Sequence, residues 1–259
     1  MSNRKIWEVD FDVVGPISIN RDIALRQEKG FDQHQFYSDI RLTRSPYGIQ
    51  ATITAYADNI DIAETVAYVY FGRMRDVLSL LNDIPILLYK HEGSFINRKR
   101  FKSRRLLDKP DITTAFEMAR KFEREQPKLL RAVGWYSKGK ISQNTLDKFL
   151  AFWNVIEILG KKYHVETERT KGENKTKNKI YQCFEDYFGN ISEWELPENW
   201  IDDMYLKRNE LVHGGEDTTI ESINNVSILI PILEQTSNKL INSIIDSLFD
   251  RKNFIHFDF

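Results

Sequence analysis

An arginine and a histidine lie five positions apart in residues 205–215, whose sequence is YLKRNELVHGG. Arg208 is a permanent cation, Asn209 follows it directly, and His213 carries an imidazole, the side chain whose charge changes near neutral pH. A guanidinium can bind a phosphate and an imidazole can transfer a proton. The same residues also fit a structural role, with Arg208 as a surface cation and His213 at the C-terminus of a helix.

The residues around this pair predict a helix that ends soon after His213. Residues 202–212 have apolar positions at helical spacing, and Gly214-Gly215 is typical of a helix stop. Five helical positions turn the chain through about 500°, which places Arg208 and His213 about 140° apart around the axis. Fraying of the last turn, or a turn assisted by the glycines, would be needed to swing the imidazole toward the arginine.

A second segment, residues 146–159 (LDKFLAFWNVIEIL), predicts a helix buried over a wide face. Its apolar side chains recur every three or four residues, and the aromatic ones are expected to be core. Glu157 stands at the margin of this face, where a carboxylate needs a partner. Arg208 is the candidate, because a guanidinium matches a carboxylate in shape and charge.

Together the two segments resemble the HEPN superfamily, most closely bacterial proteins of the ApeA and MauJ-like type. The Arg-Asn-x-x-x-His run matches the R-x4-H motif of that family, and residues 146–159 resemble its aromatic-rich core helix, in which an acidic residue often stands where Glu157 is. The resemblance covers the C-terminal half of the chain. It implies an all-α bundle.

The resemblance also implies a metal-independent endoribonuclease, of a kind that serves as a defence or toxin ribonuclease. A ribose 2′-hydroxyl would attack the adjacent phosphate, with Arg208, Asn209, His213 and Glu157 as the catalytic set and RNA as the substrate. Two motif helices would meet across a homodimer, because one Arg–His set rarely makes a whole site. The alternative is a non-catalytic HEPN module for dimerisation and nucleotide or RNA binding.

Other chemistries have little support in the sequence. No His-x-His, His-Glu-x-x-His or paired-carboxylate pattern predicts a metal-dependent hydrolase, and no cofactor is expected. The single cysteine, Cys183, is expected to be a buried thiol rather than a nucleophile, because no histidine is near it in sequence.

The fold class is predicted as α+β, with an α+β domain at residues 1–110 followed by the HEPN-like helical domain at 111–259. An imperfect period of two predicts a strand at 6–14, and further strands are predicted at 36–43, 48–57 and 84–89. A hairpin turn is predicted at 45–48 and a helix at 60–81. The role of this first domain stays open between sensing a ligand or protein partner and contacting RNA.

Helices are expected through most of the second half of the chain. The polar residues 160–178 predict a mobile insertion, Ser142 or Asn144 is expected to cap the helix of residues 146–159, and the motif helix is expected to start at Pro197. A long helix is predicted from Thr218 to Leu248, with a kink at Pro231.

The densest basic cluster holds six cations in eight residues: Arg98, Lys99, Arg100, Lys102, Arg104 and Arg105. One interpretation is an RNA-binding patch, with phosphates on the cations and a base stacked on Phe101. The other is a solvated loop between domains. The sequence does not decide between them.

Composition sets the remaining limits. The chain has 259 residues, of which 41% are hydrophobic and 29% charged, as in ordinary globular proteins. The formal net charge of −1 argues against binding to nucleic acid by bulk charge, although local basic patches remain compatible with it. No apolar run reaches the length of a membrane span and no signal-peptide pattern precedes the first strand, so a cytoplasmic protein is expected.

Overall fold

The computed structural model describes residues 5–31, 35–90, 105–142, 144–172, 175–213 and 220–249. In these ranges strands occupy the N-terminal part and helices dominate the C-terminal part, so the predicted mixed class is confirmed. The chain divides into two compact units, the first reaching Arg120 and the second beginning at Lys121. This division lies inside the second helix, whereas the sequence predicted a boundary between residues 110 and 111.

Seven strands lie in the described residues of the first unit. They are β1 (Lys5–Val14), β2 (Ile17–Ile19), β3 (Ile23–Phe31), β4 (Gln35–Ser45), β5 (Gly48–Ala57), β6 (Leu87–Lys90) and β7 (Arg105–Leu107). Five of them form an antiparallel sheet in the order β3-β4-β5-β1-β6, and β2 pairs with β7 in parallel. The predicted strands at β1, β4 and β5 are confirmed.

The core of the first unit lies between the sheet and α1 (Ile60–Asn82), and α2 (Lys109–Glu125) reaches α1 through an aromatic contact. Alternate residues of β1 are buried, as the period-two pattern predicted. The ring of Phe11 on β1 stacks on Phe71 of α1 with centroids 6.5 Å apart, and Phe71 meets Phe116 of α2 edge-on at 6.2 Å. The helix predicted at 60–81 is therefore present and covers the sheet.

The hairpin between β4 and β5 turns at Pro46-Tyr47, where the sequence predicted it. Ser45 and Gly48 pair across the turn. A Cβ on Gly48 would lie 2.1 Å from the backbone oxygen of Val13, which leaves no room for any other residue type. The close approach of β1 to this turn thus explains the glycine.

Five further helices make up most of the second unit in its described residues: α3 (Pro127–Ile141), α4 (Thr145–Tyr163), α5 (Thr176–Phe188), α6 (Trp200–His213) and α7 (Ile220–Leu248). Helix α4 is the central one, since it contacts the other four. The aromatic residues predicted as core on α4, namely Phe149, Phe152 and Trp153, are fully buried. No helix among the described residues has the length and apolarity needed to cross a membrane.

The ends of these helices follow local sequence signals. Pro127 begins α3, where its missing N–H costs nothing. Asn144 caps α4, its Oδ1 accepting hydrogen bonds from the backbone N–H groups of Leu146 and Asp147 at 2.9 and 3.0 Å. Pro231 lies inside α7, which continues past it as predicted.

Two expectations about the polar region before α6 are wrong. The predicted insertion at 160–178 is largely ordered: α4 runs on to Tyr163, α5 begins at Thr176, and Thr170 is buried between them. A turn holds that buried threonine, because the N–H of Thr167 donates to its Oγ1 at 2.8 Å. The motif helix begins at Trp200 rather than Pro197. Pro197 lies in a turn before the helix, where its backbone oxygen accepts a hydrogen bond from the N–H of Trp200 at 3.2 Å.

Gly139 permits the close packing of α3 on α4, and its replacement by alanine should destabilise the second unit by about 1–3 kcal/mol. A Cβ there would lie 2.5 Å from Cε1 of Phe152, a fully buried ring that packs against Tyr136 and has no space to retreat. Urea unfolding followed by circular dichroism measures the change. Ser137→Ala on the same helix is the control, because in the described structure its buried hydroxyl has no hydrogen-bond partner. A Gly139→Ala variant as stable as this control would contradict the packing argument.

Candidate active site

The motif helix α6 is held to the bundle by its N-terminal half. Trp200, Ile201 and Met204 are buried. Asp202 of the first turn accepts a hydrogen bond from Tyr181 at 3.1 Å and forms an ion pair with Lys177 at 2.6 Å, both from α5. These contacts fix the helix at its start, and the residues that could do chemistry project from its C-terminal half.

Glu157 of α4 is buried, with 8% of its surface exposed, and it meets α6 directly. Its Oε1 lies 3.2 Å from Nε of Arg208 and accepts a hydrogen bond from the indole Nε1 of Trp153 at 2.8 Å. Its Oε2 lies 3.5 Å from Nζ of Lys161. The ion pair predicted between Glu157 and Arg208 is thus formed.

The guanidinium of Arg208 is oriented by two partners. Nε faces Glu157, and one terminal nitrogen donates to Oδ1 of Asn209 at 3.1 Å. About a quarter of the side chain remains exposed, at 26%. A guanidinium carries five N–H donors, so the donors left over can still receive an anion from solvent.

His213 is the last residue of α6 and is exposed. The helix stays regular to this residue, so the swing toward Arg208 that the sequence left open does not occur. Taking the buried Met204 as the reference direction, Arg208 lies about 40° and His213 about 180° around the helix. No hydrogen bond or ion pair joins His213 to Arg208 within the described residues, and Gly214-Gly215 lie outside them. One chain therefore presents the two groups about 140° apart around the helix.

Two exposed apolar side chains share the solvent-facing side of α6 with His213. Leu206 is 59% exposed and Val212 is 48% exposed. On a helical projection they lie on either side of Asn209, at about 200° and about 80° from Met204. The surface from Arg208 to Leu206, with Val212, Asn209 and His213 between them, is called the motif face below.

Most of the basic cluster predicted to bind RNA lies outside the residues that the structure describes. Arg98, Lys99, Arg100, Lys102 and Arg104 lie outside the described residues. Arg105 begins β7, and its backbone is in register with Ile17 of β2. Both interpretations of the cluster therefore remain open.

A second group of cations lies beside Glu157 and was missed at the sequence level. Lys128 and Arg131 of α3 face Lys161 and Lys162 of α4 across a cavity of about 400 Å³, which is also lined by Trp135 and Asn154. This cavity is called the basic groove. Each helix contributes only a pair of cations, so no dense charge run signals it; the signal lies in the packing of α3 on α4.

Metal and thiol chemistry are not suggested by the described residues. Nowhere in these ranges do three His, Cys, Asp or Glu side chains group closely enough to hold a metal ion. Cys183 is buried on α5, as expected, and burial raises the pKa of its thiol far above the ordinary range. A thiol that stays protonated is a poor nucleophile.

No protein-family model, no curated protein and no solved structure matches this chain. The resemblance to the HEPN superfamily therefore rests on the two sequence segments alone.

Removing the Glu157 carboxylate should destabilise the second unit by about 2 kcal/mol, because Glu157→Ala strands the buried Trp153 N–H and the Arg208 cation. The partial exposure of Arg208 keeps the loss below that of a fully buried pair. Urea unfolding provides the measurement. Glu185→Ala is the matched control, since its ion pair with Arg169 is exposed on both sides and should contribute about 0.5 kcal/mol or less. Equal losses in the two variants would show that the Glu157 pair is only a surface contact.

Proposed function

We propose that this protein is a metal-independent endoribonuclease of the HEPN type, acting as a homodimer. The observation that carries the proposal is the buried Glu157 carboxylate, which holds Arg208 on a helix that ends in the exposed His213. A guanidinium held by its Nε, with donors left over and about a quarter of its side chain exposed, is suited to a phosphate. An exposed imidazole at a helix end can be reached by a substrate.

The proposed reaction is cleavage of a phosphodiester by the neighbouring ribose 2′-hydroxyl. The 2′-oxygen attacks phosphorus and gives up its proton to a base, and the bond from phosphorus to the 5′-oxygen breaks. The products are a 2′,3′-cyclic phosphate and a 5′-hydroxyl, the latter formed when the leaving oxygen takes up a proton. His213 transfers these protons.

Arg208 stabilises the negative charge that develops on the phosphoryl oxygens in the transition state. Its orientation is set in advance by Glu157 and Asn209, so little reorganisation is needed when the phosphate arrives. Trp153 fixes the carboxylate in turn through its indole N–H. Glu157 and Trp153 are positioning residues in this scheme, and Arg208 and His213 are the catalytic ones.

A second copy of the chain completes the site. Because Arg208 and His213 lie about 140° apart around α6, we assign each cleavage site to Arg208 of one chain and the partner's His213. The exposed Leu206 and Val212 on the motif face supply apolar surface for such an interface.

The sheet-containing first unit has no assigned chemistry. Under the same proposal it senses a ligand or a protein partner and controls cleavage by the helical unit, as befits a defence or toxin ribonuclease. The cluster at 98–105 would add affinity for RNA without taking part in the chemical step.

One observation favours the second candidate function, a non-catalytic module for dimerisation and RNA or nucleotide binding. The charge of Arg208 is already balanced by Glu157, and His213 stands apart from both. Such a module would bind RNA through its cations and leave it intact.

Incubation of the purified protein with mixed RNA in excess EDTA separates the two functions. The proposal predicts cleavage by the wild-type protein in EDTA and its loss in Arg208→Ala. Arg208→Lys keeps the charge but not the fork of donors, so it should restore only a small part of the activity. Intact RNA after incubation with a folded, dimeric wild-type protein would favour the non-catalytic module.

The proposed interface predicts that Leu206→Asp weakens the homodimer by about 100-fold or more, since a carboxylate would be buried without a partner. Sedimentation velocity over a range of protein concentrations measures the dissociation constant. Val165→Asp is the control, because Val165 is equally exposed at 60% but lies outside α6. If Leu206→Asp dimerises like this control, the motif face is not the interface.

A further inference from the structure

The basic groove between α3 and α4 has no role in the reaction described above. Lys128 and Arg131 line it from α3, and Lys161 and Lys162 line it from α4. Its volume of about 400 Å³ lies in the range of small-molecule pockets. A cation cluster on a convex surface contacts only solvent, whereas this one lines a half-open recess large enough for a ligand.

The protein balances only part of the charge of the groove. Glu157 is the acidic residue among those that line it, and its carboxylate is shared by Arg208, the Trp153 N–H and, at 3.5 Å, Nζ of Lys161. In the described part of the chain Lys128, Arg131 and Lys162 form no ion pair. Other cations of the second unit do find carboxylates, as Lys140 does with Glu234 at 2.6 Å. The groove is therefore prepared for an anion from outside.

The uncharged lining indicates what kind of anion fits. Trp135 contributes a half-buried indole ring, which is a surface on which a nucleobase can stack. The ammonium of Lys138 lies 4.7 Å from the centroid of that ring and covers one of its faces, so a base would stack on the other face. The Asn154 amide can both donate and accept hydrogen bonds, as recognition of a base edge requires.

We propose that the basic groove binds a nucleotide unit, with its phosphates on the lysines and arginine and its base against Trp135. The shared chemistry admits two sources, a nucleotide within an RNA strand or a free nucleotide. Because Glu157 lies between the groove and Arg208, a strand held in the groove would pass close to the cleavage site. The assignment to an RNA strand rests on the proposed ribonuclease function, while the assignment to a free nucleotide does not.

The test is a binding titration of the wild-type protein with a fluorescein-labelled 2′-O-methyl oligoribonucleotide, which lacks the attacking hydroxyl and stays intact. Arg131→Gln/Lys162→Gln removes two groove cations. It should weaken binding at least tenfold and reduce the slope of log affinity against log salt by about 1.4, at about 0.7 per phosphate contact. Trp135→Leu should weaken binding at least fivefold, in line with about 1–3 kcal/mol for a stacked base.

The matched control is Lys148→Gln/Lys175→Gln, which removes the same charge from the same unit away from the groove. Lys148 is on α4, about 20 Å along the axis from Lys161, and Lys175 precedes α5. Its binding and salt slope should change less than twofold if the groove is specific. The proposal is overturned if the groove variant and the control variant lose the same amount of affinity for the oligonucleotide. It is also overturned if both variants bind the oligonucleotide as tightly as the wild-type protein does.

Competition with unlabelled AMP and ATP identifies the source. Displacement at micromolar nucleotide indicates a free-nucleotide site, and displacement by oligonucleotide alone indicates an RNA-strand site. No binding of either ligand to the wild-type protein refutes the proposal. Binding is measured with a probe that cannot be cleaved, so it is independent of cleavage of ordinary RNA. If the groove binds the probe but the protein does not cleave RNA, the ribonuclease proposal fails and the groove proposal stands. If the protein cleaves RNA but the groove does not bind the probe, the groove proposal fails and the ribonuclease proposal stands.

Discussion

Replacing His213 with alanine is expected to lower the rate of RNA cleavage by about 10²–10⁴-fold without unfolding the helical unit. The imidazole is exposed at the last residue of α6, so its removal takes away little buried surface. Arg208 keeps its contacts with Glu157 and Asn209 in this variant. RNA affinity should therefore survive, and the loss should appear in kcat rather than in KM.

His164→Ala supplies the matched control for this prediction. His164 follows the last residue of α4, and its Nδ1 lies 2.9 Å from the backbone oxygen of Gly160, so it acts at a helix end without belonging to the motif face. Its loss should lower the midpoint of thermal unfolding and leave turnover per folded molecule unchanged. Wild-type cleavage by His213→Ala would remove the histidine from the mechanism.

Mixed dimers of Arg208→Ala and His213→Ala chains should regain about half of the wild-type activity per dimer, although either variant alone is inactive. If each site combines Arg208 of one chain with the partner's His213, a mixed dimer holds one site with both groups replaced and one with both groups present. Co-expression with two different affinity tags and tandem purification isolates these dimers.

The control for the mixed dimers is a doubly replaced chain, Arg208→Ala/His213→Ala, paired with the wild-type chain. In that dimer each site has lost one group, so the proposed arrangement predicts no activity. If instead both groups of a site came from one chain, this control would be active and the mixed dimer of Arg208→Ala and His213→Ala chains would be inactive. The two dimers thus give opposite results for the two arrangements.

Much of the candidate site was predictable because it rests on local patterns and on one burial argument. Apolar spacing placed α4 in the core, and a carboxylate at the edge of so apolar a helix had to find a cation. Arg208 was the candidate in the motif, and the two side chains do meet. Strand alternation and the turn at 45–48 predicted β1 and the β4–β5 hairpin for the same reason.

The features that the sequence did not predict depend on contacts between distant segments. Strand β3 lies at the sheet edge and carries the charged run RQEK beside an irregularity in its pairing, which hides the period of two. The polar region after α4 was interpreted as mobile because its buried Thr170 is held by a turn and not by hydrophobic spacing. The basic groove exists only because α3 packs on α4.

In the proposed reaction a ribose 2′-hydroxyl attacks the adjacent phosphorus. A pair of oligoribonucleotides that differ at one atom tests this attack most directly. Both are incubated with the wild-type protein in EDTA; one is all RNA, and the other carries a single 2′-deoxyribose on the 5′ side of the mapped cleavage position. The account predicts cleavage of the first to a 2′,3′-cyclic phosphate and a 5′-hydroxyl, with no cleavage of the second at that position. Equal cleavage of both, or fragments ending in a 3′-hydroxyl, would contradict it.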